Sequence, residues 1–320
     1  MIRIALAGLG VHGSRYARHL IAGDVPGATL VAVSRADEAA GRAFAAEHGV
    51  AFVADPVALA RHPGVDAVVS AVPPDLHRPI ALAAIAAGKA LLVEKPLAAT
   101  VEDAEAIAAA ARAATATVAV AHTQRFDPLF VALRERLPSL GALRVLAIDQ
   151  RLDPGARPWT DAPGRGGALL VTGVHAFDLA RWLTGAEPVS VVAETSAAPG
   201  RATEDTFAAV MRFEPGDVVV TIDNCHRSHG RSGRVSVAGS AGQLAVDHVT
   251  RRFVKADADG ETDLGSVPHR PTVVLCLRDF VEAASARRPA AVSAEDGLAA
   301  VRIAEAVRRA AVEGRRRFLA

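Results

Sequence analysis

At 320 residues, with 36 Lys and Arg against 35 Asp and Glu, the chain is long enough for two domains with separate cores. Its net charge of +1 and pI of about 8.0 argue against nucleic acid or an anionic membrane as the main partner. No apolar run approaches the roughly 18–20 residues of a membrane span, the N-terminal run is too short for a signal peptide, and Cys225 and Cys276 are too few for a disulfide framework or a zinc site; a soluble cytoplasmic protein is expected.

The first element is an apolar strand over 2–7 that runs into Gly8-Leu9-Gly10-Val11-His12-Gly13 and then a helix over about 12–22. The pattern is G-x-G-x-x-G between a strand and a helix, the setting in which it binds a dinucleotide. Gly8 permits the tight turn, Gly10 lets backbone N–H groups approach a pyrophosphate, and Gly13 lets helix and strand pack closely. The helix start, with Val11 and His12 counted among the cofactor-binding residues, turns unpaired N–H groups and its positive dipole end toward the phosphates.

Alternation continues with a strand at 30–33, a helix over 37–48 stopped by Gly49, a short strand at 50–53 and a brief helix opened by Asp55-Pro56. A β-branched run at 65–72 is broken by Pro73-Pro74 and followed by a helix over 75–87. A strand at 90–93 ends in Glu94-Lys95-Pro96, Thr100 opens an Ala-rich helix, and a sixth strand follows at 117–121. Regular βαβ alternation predicts an α/β fold, a Rossmann-type doubly wound parallel sheet over residues 1–121, with ligands beyond the carboxyl ends of its strands.

Residues 122–320 read differently. Strands at 143–150, 189–195, 207–213, 218–224, 234–239, 243–247 and 252–256 are joined by turn signals such as Pro215-Gly216-Asp217, and helices are expected over 171–183, 273–285 and 294–313. This predicts a second α/β domain with a large, mainly antiparallel open sheet.

Ser34-Arg35 closes the second strand where dinucleotide folds that prefer NAD carry an Asp or Glu for the ribose 2′-hydroxyl. A hydroxyl and a guanidinium suit a 2′-phosphate, so NADP is expected over NAD. Lysine is rare here (Lys89, Lys95 and Lys255 only), so a retained Lys marks a candidate for a required ammonium. His226-Arg227-Ser228-His229 has metal-like spacing without a third ligand nearby, and no metal is expected.

Four motifs occur in order: Gly8-x-Gly10-x-x-Gly13, Ala71-Val72-Pro73-Pro74-x-x-His77, Ala87-Gly88-Lys89-x-x-x-x-Glu94-Lys95-Pro96-Leu97 and Gly173-Val174-His175-x-x-Asp178. The set resembles the Gfo/Idh/MocA oxidoreductases, the glucose–fructose oxidoreductase and inositol dehydrogenase group, with Glu94-Lys95-Pro96 the most specific signature. The resemblance covers nearly the whole chain. It implies hydride transfer between NAD(P) and a sugar, cyclitol or related alcohol–carbonyl pair, and an open sheet that joins copies into a homodimer or homotetramer. Relatives that sense a cofactor without turnover, or that hydrolyse glycosides with NAD and no net redox change, are the alternatives.

In this resemblance Lys95 contacts cofactor and substrate; an ammonium there can stabilise alkoxide character on the substrate oxygen. His175 takes or returns the hydroxyl proton, with Asp178 a candidate to orient it. Thr172 stands where many members carry Asp, and supplies hydrogen bonds without a negative charge. Pro73, His77, Glu94 and Lys95 join the cofactor-binding set, His77 and Pro73 flanking the nicotinamide ribose. Arg125 and the Arg157-Pro158-Trp159 loop border the active cleft, Trp159 as a cover for the cofactor.

Overall fold

The computed structural model describes residues 1–152, 161–164 and 166–319. Two compact units emerge, Met1–Thr123 with Pro271–Val301, and Gln124–Arg270 with Arg302–Ala320. The sequence reading assigns all of 122–320 to one domain; here Pro271–Val301 clusters with the first unit instead.

The first unit runs β1 (Ile2–Ala7), α1 (Val11–Ile21), β2 (Ala28–Ser34), α2 (Glu38–His48), β3 (Ala51–Phe52), α3 (Pro56–Arg61), β4 (Ala67–Ser70), α4 (His77–Ala86), β5 (Ala90–Val93), α5 (Val101–Ala113) and β6 (Val118–Val120). Its six strands lie in the order β3-β2-β1-β4-β5-β6, all parallel. The strands read as continuous apolar runs because both faces are covered: Ile4, Leu6, Val68, Val69, Leu91 and Leu92 are fully buried. Helix starts follow the local chemistry. Asp37 accepts the Ala40 N–H, Asp55 those of Val57 and Ala58, and Thr100 that of Asp103, each satisfying donors that a helix start leaves open. After Pro73 a short 3-10 turn (Pro74–Leu76) precedes α4, so that helix begins two residues later than the sequence pattern suggests.

The second unit opens with α6 (Pro128–Arg136), capped by the Asp127 carboxyl on the Leu129 N–H, a helix absent from the sequence expectation. There follow β7 (Leu143–Arg151), α7 (Val174–Thr184), β8 (Glu187–Ser196), β9 (Thr206–Glu214), β10 (Val218–Cys225), β11 (Ser232–Gly239), β12 (Gly242–Asp247), β13 (Arg252–Asp257) and β14 (Gly260–Ser266). The chain closes with α8 (Thr272–Ala286), α9 (Ala294–Glu313) and β15 (Arg317–Phe318). Nine strands lie in the order β14-β13-β12-β11-β7-β10-β9-β8-β15. Only β7 and β10 pair in parallel, with Asn224 beside Gln150; the other pairs are antiparallel. Along β9 and β10 the burial alternates strictly at first, as a sheet with one packed face requires. Phe207 and Phe213 point inward, and Phe207 packs on Phe177 of α7 with ring centroids 5.7 Å apart. Strand β14 is exposed throughout and pairs only with β13; its polar sequence carries no alternation to betray it.

Helix α9 begins with a reciprocal cap. Ser293 Oγ accepts the Asp296 N–H, and Asp296 Oδ2 accepts the Ser293 N–H at 2.9 Å. Ser293→Ala is expected to lower stability by about 1 kcal/mol, seen as an earlier urea midpoint with an unchanged m-value.

Candidate active site

In the first unit, the glycine loop joins β1 to α1 with a geometry that admits no side chain at two of its three glycines. Gly8 sits at φ +94°, and a Cβ there would lie 2.6 Å from Ala71 O; a Cβ on Gly13 would lie 1.9 Å from Gly8 O. Gly10 is the opposite case. A Cβ would meet nothing within 4 Å, so the space in front of its backbone is open. Gly10 caps α1 with no side-chain hydrogen bond, and the first turn of α1 holds no acidic residue. A helix start with no acidic residue of its own and free approach at Gly10 fits a pyrophosphate. Val11 is 63% exposed at this opening, and His12 is half-buried beside it.

At the carboxyl end of β5, Glu94 is buried and multiply held. Tyr16 OH donates to its Oε1 at 2.8 Å, the Lys95 N–H donates to its Oε2 at 3.0 Å, and His12 Nδ1 lies 3.6 Å away. Burial, reinforced by Glu94, holds the Tyr16 phenol well above its ordinary pKa, so it stays a donor. Helix α1, which carries the glycine loop, is thereby tied to the strand end that carries Lys95. Lys95 itself is half-buried.

Two expectations change here. His77 has no exposure: its Nδ1 faces Pro96 O at 3.0 Å and Leu97 O at 3.2 Å, and its Nε2 faces Val72 O at 3.1 Å. Burial lowers its pKa, against the carbonyls that face both ring nitrogens, and the enclosed ring lies between the Lys95-Pro96-Leu97 turn and the end of β4 rather than presenting itself to a ribose. Ser34 is also buried, and its carbonyl accepts the Gly8 N–H; Arg35 alone of the pair is half-open. Pro73 is exposed at the β4 end.

In the second unit, a π-helical turn (Leu169–Gly173) leads into α7. Thr172 stands in this turn and His175 in the first turn of α7, both half-buried. Arg125 and Asp178 pair with each other in two bonds of 2.8 and 2.6 Å, at 9% and 1% side-chain exposure. This buried bidentate pair ties Arg125 to α7. Arg157, Pro158 and Trp159 lie outside the described residues.

Three residues that sequence reasoning did not assign to the site form a hydrogen-bonded group with Thr172. Asn224 Nδ2 donates to Thr172 Oγ1 at 2.8 Å and to Gln150 Oε1 at 3.0 Å, and His226 Nε2 lies 2.8 Å from Thr172 Oγ1. A signal was present: Gln150 and Asn224 continue the inward, apolar positions of β7 and β10, and a polar residue at such a position needs a reason. Among the described residues, no cluster of three or more His, Cys, Asp or Glu side chains suits a metal ion, and no helix is long and apolar enough to cross a membrane.

Residues 2–122 match the family model described as "Oxidoreductase family, NAD-binding Rossmann fold", and residues 139–245 match "GFO/IDH/MocA C-terminal domain". Inositol 2-dehydrogenase 1 of Saccharopolyspora erythraea is 34% identical over 98% of this chain and 95% of its own length. Myo-inositol 2-dehydrogenase of Thermotoga maritima is 31% identical over 98% and 97%. Aldose-aldose oxidoreductase from Caulobacter crescentus superposes with a TM-score of 0.88 at 25% identity, covering 99% of both chains. Matched along both halves, and carrying the glycine loop and the Glu94-Lys95-Pro96 strand end in the geometry described, the chain belongs to the Gfo/Idh/MocA family of oxidoreductases with an NAD-binding Rossmann domain.

Proposed function

We propose that the chain is a dehydrogenase or reductase of a cyclitol or closely related sugar alcohol–ketone pair, with Lys95 and His175 handling the substrate oxygen and its proton. The observation that carries this reading is the seating of Lys95. Its backbone N–H is fixed by Glu94, Glu94 is fixed by Tyr16 on the helix that opens from the glycine loop, and an ammonium carried on that anchored backbone can stabilise a developing alkoxide. A bound nicotinamide supplies the hydride acceptor or donor. His175 takes the hydroxyl proton in oxidation and returns it in reduction, and Thr172 assists as a neutral hydrogen-bonding group. The inositol dehydrogenases among the relatives support the cyclitol class.

NADP is the proposed preference. Arg35 forms no ion pair or side-chain hydrogen bond with a described residue, so its guanidinium is open to a phosphate. The neighbouring carboxyls are engaged elsewhere, Asp37 in capping α2 and Glu38 with Arg42.

The proposed assembly is a homo-oligomer through the open sheet. Val145, Val192, Val210 and Val219 are each 41–51% exposed; register sets Val219 beside Val145 and Val210 beside Val192. Apolar side chains grouped on one sheet face favour burial against a second copy.

Turnover of myo-inositol, scyllo-inositol and aldoses with NADP and NAD, read from the absorbance of the reduced nicotinamide, tests the activity. Lys95→Ala is expected to abolish turnover while cofactor still binds; retained turnover would remove Lys95 from the chemistry. Arg35→Ala is expected to weaken NADP by about tenfold, the worth of one charge-assisted contact, and to leave NAD unchanged; tighter NAD binding by the parent chain would overturn the preference. Sedimentation tests the assembly, with Val210→Arg expected to shift an oligomer toward monomer.

A further inference from the structure

Thr172 Oγ1 is a crowded atom. It lies 3.1 Å from Ala168 O, 2.8 Å from Asn224 Nδ2 and 2.8 Å from His226 Nε2. A threonine hydroxyl has one proton and two lone pairs. Satisfying all three neighbours uses the full set: the proton goes to the Ala168 carbonyl, one lone pair receives an Asn224 N–H, and the other receives a His226 Nε2–H. In that arrangement nothing remains for a substrate.

Asn224 is fixed in its turn. Its second N–H goes to Gln150 Oε1, its register neighbour on the parallel strand. With both donors used, the amide cannot be flipped without losing them. Its Oδ1 has no hydrogen-bond partner among the described residues, although Asn224 is only 1% exposed. An apolar side chain would avoid that buried open acceptor, so the amide is held at this inward position by what its two donors do. They tie the ends of β7 and β10 to the π-turn.

The π-turn Leu169–Gly173 departs from α-helical bonding just before His175. Its bonds span one residue more than those of an α-helix, and such turns are rare and single. Three residues after Thr172 comes His175. We propose that Asn224 and His226 are positioning residues for His175, holding the π-turn through Thr172 Oγ1 and so fixing the direction in which the His175 imidazole leaves the helix. The inference rests on the reading of His175 as the group that handles the proton. It makes Thr172 an anchor rather than a substrate ligand, and does with neutral hydrogen bonds what needs no carboxylate at that position.

The test begins without substrate. In protein labelled with 15N-histidine, with resonances assigned through His175→Gln and His226→Gln, Thr172→Val and His226→Leu are each expected to shift the His175 imidazole signals. Thr172→Ser is expected to return them, with melting temperatures confirming that every variant is folded. With myo-inositol and the preferred nicotinamide, Thr172→Val and His226→Leu are expected to lower kcat by about tenfold to a hundredfold, the cost of a displaced reacting group, with KM nearly unchanged. The double variant is expected to be no worse than the worse single one, because both break the same node. His175 signals unmoved in both variants overturn the proposal, as does a rise in KM at constant kcat, which assigns Thr172 to substrate binding. Undiminished turnover in His175→Ala, with the signals shifted as expected, overturns the proton-handling role of His175 and upholds the anchoring.

Discussion

The chemistry of the first unit hangs on a carboxyl group. Glu94 ends the β5 strand inside the protein, and its two oxygens take hydrogen bonds from a buried phenol and from the backbone of the next residue. Hydrogen bonds to a charged or strongly polar buried group are among the more valuable ones, roughly 1.5–3 kcal/mol each, and they are directional. Here the direction matters more than the energy. Tyr16 rides on the helix that opens from the glycine loop, so the bond ties that helix to the strand end that carries Lys95. His77, buried beneath the same turn, packs against it from the other side. The turn that carries Lys95 is thus held by Glu94 on one side and His77 on the other.

Much of this was legible in the sequence, for identifiable reasons. The βαβ rhythm, the caps at Asp37, Asp55 and Thr100, and the glycine loop are local signals, and local physics decides them. The same holds for the alternating strands of the second unit, whose inward and outward positions follow directly from one packed face. Strand β14 escaped because all of its side chains face solvent; nothing in its composition distinguishes an edge strand from a loop. Helix α6 escaped although Asp127-Pro128 offers the same Asp-Pro start that Asp55-Pro56 gives α3.

The candidate site divides along the same line. Gly8, Gly10 and Gly13 stand in a motif that spacing reveals, and Lys95 and His175 stand in motifs whose meaning came from the family resemblance. The partners of Thr172 do not. Asn224 is 52 residues away from it and His226 is 54, brought in by strand pairing that no short motif encodes. Two residues named from the family resemblance are engaged within the protein: His77 faces backbone carbonyls, and Arg125 pairs with Asp178. A histidine or arginine near a motif has the right chemistry for a site and equally for holding one in place. Burial is what separates the two, and burial is a property of the fold.

One feature of the first unit bears on how the chain comes to be folded at all. Strand β6 pairs beyond its sheet neighbour with the segment around Ser293: the Val120 N–H donates to Val292 O, and Gly297 fits so tightly that a Cβ would lie 2.8 Å from Val120 and 3.0 Å from Leu97. On α8, Cys276 is buried deeply enough that its thiol is pushed far up, within reach of the Glu94 charge. These are contacts of very high sequence separation, the slow kind in folding. The nucleotide-binding half is therefore not finished when its last strand leaves the ribosome. It waits, with the flank of β6 and the surface beneath α8 uncovered, until nearly the whole polypeptide has been synthesised. A shortened product ending after the sixth strand would carry that apolar surface into solution, the condition under which partly folded chains aggregate.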